Sequence, residues 1–78
     1  MESLLATLAT QHNGKLAISL NSHVGYRVNV LYSVLGQYGE FVAWFADEND
    51  ALCFVDSVKA DYIFADHIEI NGREVFHR

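Results

Sequence analysis

Residues 26–46, YRVNVLYSVLGQYGEFVAWFA, decide the fold. Tyr26, Val28, Val30, Tyr32 and Val34 alternate with Arg27, Asn29, Leu31 and Ser33, a period of two that sends the two sets to opposite sides of a β-strand. Gly36-Gln37-Tyr38-Gly39 then marks a tight reversal, because two glycines three apart permit the positive dihedral angles that short hairpin loops need. A further strand is predicted from Glu40 to Ala46. Working backwards, Leu16, Ile18 and Leu20 alternate with Ala17, Ser19 and Asn21, so another strand is expected from Lys15, with Asn21-Ser22-His23-Val24-Gly25 as the loop between. One face of the sheet should carry Leu16, Ile18, Leu20, Tyr26, Val28, Val30, Tyr32, Phe41, Ala43 and Phe45. The other should carry Ala17, Ser19, Arg27, Asn29, Leu31, Ser33, Val42 and Trp44.

On either side of the sheet-forming stretch the period changes. Leu4, Leu5 and Leu8 make a short amphipathic stripe and Asn13-Gly14 supplies a left-handed stop, which predicts a helix over 3–12. Its three leucines are too few to hold it alone. Asp47 is a good N-cap and Asp50 puts a second carboxylate in the first turn, where the helix dipole favours it. A helix over 48–60 follows, with Ala51, Leu52, Phe54, Val55 and Val58 on its apolar face and Cys53 as a small buried residue beside them. Asn71-Gly72 is a strong signature of a two-residue hairpin turn, so 64–78 should form a hairpin. In that register Ile70 faces Arg73, Glu69 faces Glu74, Ile68 faces Val75, His67 faces Phe76 and Asp66 faces His77, with which it can pair.

The elements sum to one α+β domain over 1–78, in two layers and in the order α-β-β-β-α-β-β: a three-strand antiparallel meander and a C-terminal hairpin, packed against two helices.

The chain has 78 residues, 51% in the hydrophobic set, 19% charged and no proline, which suits a single domain and is too apolar for a disordered one. A chain of this size buries only about 60% of its unfolded surface, so self-association is one way to complete its stability. Mean hydropathy of +0.10 without a long apolar run argues against a membrane span. The lone Cys53 cannot close an intramolecular disulfide, and MESLLATLATQHNG lacks the basic start and apolar core of a secretory signal, so the expected location is a reducing cytoplasm. Net charge is −5, and no cluster of bases offers a track for phosphates, which argues against direct nucleic-acid binding.

Charge is unevenly placed. Residues 47–69 hold seven acids against Lys59 alone, −6, leaving +1 for the rest. Asp47, Glu48, Asp50, Asp56, Asp61 and Asp66 are therefore candidates to meet a protein partner with a basic surface. The second candidate is apolar: Leu31, Val42 and Trp44, extended by Tyr38 at the nearby turn, are larger than a solvated sheet face needs and would suit a partner or a homodimer.

No nucleophile elbow, phosphate loop or HExxH pattern is present, and the chain reads as non-catalytic, although Ser, His and Asp groups that meet only in space leave no spacing signal. His67, Glu69, Glu74 and His77 resemble a metal ligand set, but in the register above His77 points to the opposite face, so the four cannot converge without a bulge. No metal and no cofactor is expected.

The layout from Lys15 to Ala60, with the third strand running straight into FADENDALCFVDSV (residues 45–58), resembles the small acidic α+β proteins that phages and mobile elements encode against host defences, among them anti-CRISPR proteins that inhibit type I surveillance complexes. The resemblance is one of architecture and composition over about the middle 60% of the chain. It implies a rigid inhibitor, acting in the host cytoplasm, that covers a nucleic-acid-binding surface on a Cas subunit. A three-strand sheet followed by one helix also resembles AP2-like and integrase arm-binding DNA modules, but those read DNA with a basic sheet, and here the outer face offers only Arg27.

Overall fold

The computed structural model of the protein describes residues 2–16, 25–61 and 64–78. Helix α1 (Glu2–Gln11) leads to a short strand β1 (Lys15–Leu16), then β2 (Tyr26–Val34), β3 (Gln37–Phe45), helix α2 (Glu48–Asp61), β4 (Ala65–Ile70) and β5 (Arg73–His77). This is the expected element order and the expected α+β class. The predicted continuation of β1 through Ala17, Ile18, Ser19 and Leu20, and most of the loop that follows, lie outside the described residues.

The strands form one antiparallel sheet in the order β1-β3-β2-β4-β5. A meander would put β1 beside β2. Instead β1 pairs with β3, Lys15 opposite Trp44. β2 is central, paired with β3 on one side and with β4 on the other. β3 and β4 both run antiparallel to β2 and so parallel to each other, and a parallel pair needs a crossover, which α2 supplies.

Both helices pack on one side of the sheet, over a core of Leu5, Ala9, Val28, Val30, Phe41, Ala43, Phe45, Ala51, Phe54, Val55, Val58, Ala65 and Ile68. The inward set predicted for β2 and β3 is therefore correct, with Tyr26 and Tyr32 partly buried at its margin. At its centre Phe54 of α2 stacks obliquely against Phe41 and Phe45, ring centroids 6.2 and 5.3 Å apart. Thirteen apolar side chains meet in this cluster and no polar side chain is buried with them among the described residues. Packing of apolar area is what holds the layers together.

Local signals behave as their chemistry dictates. Asn13 takes a left-handed φ of 63°, and its N–H donates to the Thr10 carbonyl while that of Gly14 reaches back to Ala9 at 2.7 Å, the paired bonds of a Schellman stop. Asp47 caps α2, its Oδ1 accepting from the Asn49 N–H at 2.9 Å. Asn71 and Gly72 adopt the two positive φ angles, 52° and 82°, of a type I′ turn.

Four sequence expectations need correction. The β2–β3 reversal is not at Gly36–Gly39: Leu35 and Gly36 form the turn, with φ of 51° and 81°, and Tyr38 sits within β3 opposite Ser33. Cys53 is exposed rather than buried, and Leu52 is 43% exposed, because at about 100° per residue both fall off the stripe of Ala51, Phe54, Val55 and Val58. Leu4, likewise, is exposed while Leu5 is buried. Finally, the β4–β5 register holds only for Ile70–Arg73 and Glu69–Glu74. It then shifts, so that Ile68 faces Phe76 and His67 faces His77.

That shift has a packing cause. Val75 and Phe76 are adjacent in the chain, and a regular strand could turn only one of them inward. A bulge lets both pack against the core. The predicted Asp66–His77 pair is lost as a result, and Asp66 meets Arg78 instead, with the Arg78 N–H on its carbonyl at 2.9 Å.

Candidate functional site

Five of the six acids singled out in the sequence belong to α2 or its cap, and Asp66 does not. Asp47, Glu48, Asp56 and Asp61 are exposed and Asp50 is half-buried. They are spread round the solvent side of the helix. Asp50 and Asp61, three turns apart, lie on the flank towards α1, where Asn13 Nδ2 donates to Asp50 at 3.5 Å. Asp56 points outward, 3.9 Å from Lys59. Glu48 lies on the opposite flank, at an open groove of about 320 Å³ that it lines with Tyr26, Leu52, Ile70, Arg73 and Val75. Asp66 sits near the start of β4, between β2 and the end of β5, accepting from Ser33 Oγ at 2.6 Å and lying 3.9 Å from the Arg78 guanidinium. It is already partnered and separate from the α2 set.

The sheet face turned away from the helices carries the second set. Arg27 faces Trp44, Asn29 faces Val42, Leu31 faces Glu40 and Ser33 faces Tyr38. Among the described elements neither helix covers this face, and the terminal hairpin extends the sheet rather than folding over it. Leu31 is 39% and Tyr38 84% exposed, while Val42 and Trp44 are half-buried. The face is not uniformly apolar, since Asn29 Nδ2 donates to Glu40 at 2.6 Å between Val42 and Leu31. Asn29 Oδ1 and Trp44 Nε1 are shielded from solvent and find no hydrogen-bond partner among the described residues.

The structure brings together two further groupings, one that the sequence does not announce and one that the regular hairpin register argues against. His12 Nε2 lies 3.2 Å from Ser57 Oγ across the α1–α2 junction. No spacing signal could have announced it, since 45 residues separate the two. The second is on the β4–β5 hairpin, where the bulge brings His67, Glu69, Glu74 and His77 to one face. His67 Nε2 is 2.8 Å from Glu69 Oε2, its Nδ1 is 3.8 Å from Glu74 Oε1, and the His67 and His77 rings meet edge-on at 6.1 Å. The sequence displayed these four residues, and only the assumed regular register kept His77 apart.

Among the described residues no helix is long and apolar enough to cross a membrane. No protein-family model, no curated protein and no solved structure matches this chain.

Proposed function

We propose that the protein is a non-catalytic binding module whose acidic helix α2 occupies a basic, nucleic-acid-binding surface of another macromolecule, in its sharpest form a Cas subunit of a host CRISPR complex. The observation that supports this reading is the solvent side of α2. Five carboxylates, Asp47, Glu48, Asp50, Asp56 and Asp61, stand there against Lys59 alone, −4 over 15 residues. Such a surface attracts cationic partners over about a Debye length, ~10 Å at 0.1 M salt, and tells like from unlike charge on contact.

The test is competition. A purified type I CRISPR surveillance complex is bound to its target DNA in a gel shift, with and without the protein. Inhibition is expected at low salt, weakening as salt is raised. The variant Asp47→Asn/Glu48→Gln/Asp50→Asn removes three charges while asparagine keeps the helix cap, and it should inhibit poorly. Absence of inhibition, or inhibition indifferent to both salt and the triple variant, overturns the reading.

A second reading is favoured by the open sheet face: a homodimer formed through Leu31, Val42 and Trp44, with Tyr38 at the margin. Sedimentation equilibrium at micromolar concentration decides it, because a protein that remains a monomer there cannot function as that dimer.

A further inference from the structure

We infer that the outer face of the β4–β5 hairpin is a binding site for a divalent transition-metal ion, with Zn²⁺ as the ion it suits, held by His67 Nδ1, the Glu74 carboxylate and His77. The ligand atoms of these three residues all lie within 4.8 Å of one another. Zinc bonds of about 2.0–2.2 Å would bring them to roughly 3.4 Å apart. Glu74 and His77 are exposed and His67 half-buried, so side-chain rotation alone can close that gap.

Three features of the hairpin converge on this use. The bulge at Val75 is what places Glu74 and His77, three residues apart, on the same face; a regular strand would send them to opposite faces. Glu69 adds an orienting contact. Its carboxylate accepts a hydrogen bond from His67 Nε2 at 2.8 Å, which fixes the ring and leaves the Nδ1 lone pair directed at Glu74, the carboxylate–histidine–metal arrangement that tunes such ligands. Glu69 and Glu74 also face each other directly across the strands, a like-charge opposition that a bound cation relieves.

The donor set selects the ion. Two imidazoles and one carboxylate suit zinc and its neighbours, whereas Ca²⁺ and Mg²⁺ require oxygen ligands. Because ligands come from both strands, binding would staple β5, the edge strand, to β4. Three protein ligands leave a coordination position for solvent.

Titration of Zn²⁺ into the full chain, followed by calorimetry and by NMR of the histidine rings, tests the site. One ion per chain is expected, with the His67 and His77 ring signals moving and those of His12 and His23 serving as internal controls. His67→Ala and His77→Ala should each abolish saturable binding. Glu69→Gln, which spares the ligands, should weaken it about 10–100-fold. Thermal unfolding of the unaltered protein should shift upward with Zn²⁺ and not with Mg²⁺. Histidine signals that stay put at millimolar Zn²⁺, shifts confined to His12 and His23, or undiminished affinity in the His67→Ala/His77→Ala variant would each overturn the assignment. The ring spectra of the unaltered chain decide the matter even if a variant fails to fold.

Discussion

Replacing Leu35 with asparagine should make the protein more stable. Leu35 is the first central residue of the β2–β3 turn and is held at φ 51°, with Gly36 following at 81°. A side chain with a Cβ pays about 1–2 kcal/mol in the left-handed region, and asparagine pays less because its short amide bonds locally. Nothing offsets this for leucine. Its side chain is 98% exposed, so the substitution removes no buried area. The expected gain is about 1 kcal/mol, which for a domain of this size raises Tm by about 4–8 °C. Thermal unfolding followed by circular dichroism measures it directly, at a protein concentration where the chain sediments as a monomer. Leu35→Gly relieves the same strain but adds freedom to the unfolded chain, so its gain should be smaller. An unchanged or lower Tm for both variants would refute the reasoning, because it would mean either that the turn is not of this type or that Leu35 is buried against something in solution.

Phe54→Ala should cost about 3–5 kcal/mol, since its fully buried ring meets both Phe41 and Phe45; urea unfolding should show the midpoint lowered accordingly, that loss being a large share of the about 5–15 kcal/mol a small domain has. Gly14→Ala should destabilise by about 1–3 kcal/mol. Its Cβ would lie 2.8 Å from both the Ala9 carbonyl oxygen and the Phe45 ring, and a drop in Tm checks this. Cys53, exposed on α2, should react with a thiol reagent in the folded protein without denaturant, and Cys53→Ser should change stability by less than about 0.5 kcal/mol. A thiol that reacts only after unfolding would contradict its placement.

Where sequence and structure part company, the causes are physical and local. Glycine is the usual residue at positive φ, so the sequence points to Gly36 and Gly39 for the β2–β3 turn, whereas a leucine takes one of its two positions. Leu52 and Cys53 are apolar yet exposed because a helix resting on a sheet buries a narrow stripe, and hydrophobicity alone does not say which flank of it is left in solvent. The acidic set divided for a different reason: Asp66 is close in the chain to α2 but lies on a strand, beside Ser33 and Arg78.

The sequence by itself determined the kinds of the elements and, to within a residue, the limits of both helices and of β2, because alternation, capping by Asp47 and turn formation at Asn71-Gly72 depend on neighbours within a few residues. It also determined which face of β2 and β3 would meet the helices, since side-chain parity along a strand follows from chain geometry. Tertiary structure decided that β1 lies against β3, that α2 bridges over β2, and that β5 bulges at Val75. The bulge depends on Val75 and Phe76 both finding the core, a condition set by Ile68 across the strand and by packing from distant parts of the chain. That condition, invisible to any local pattern, is also what gathers His67, Glu74 and His77.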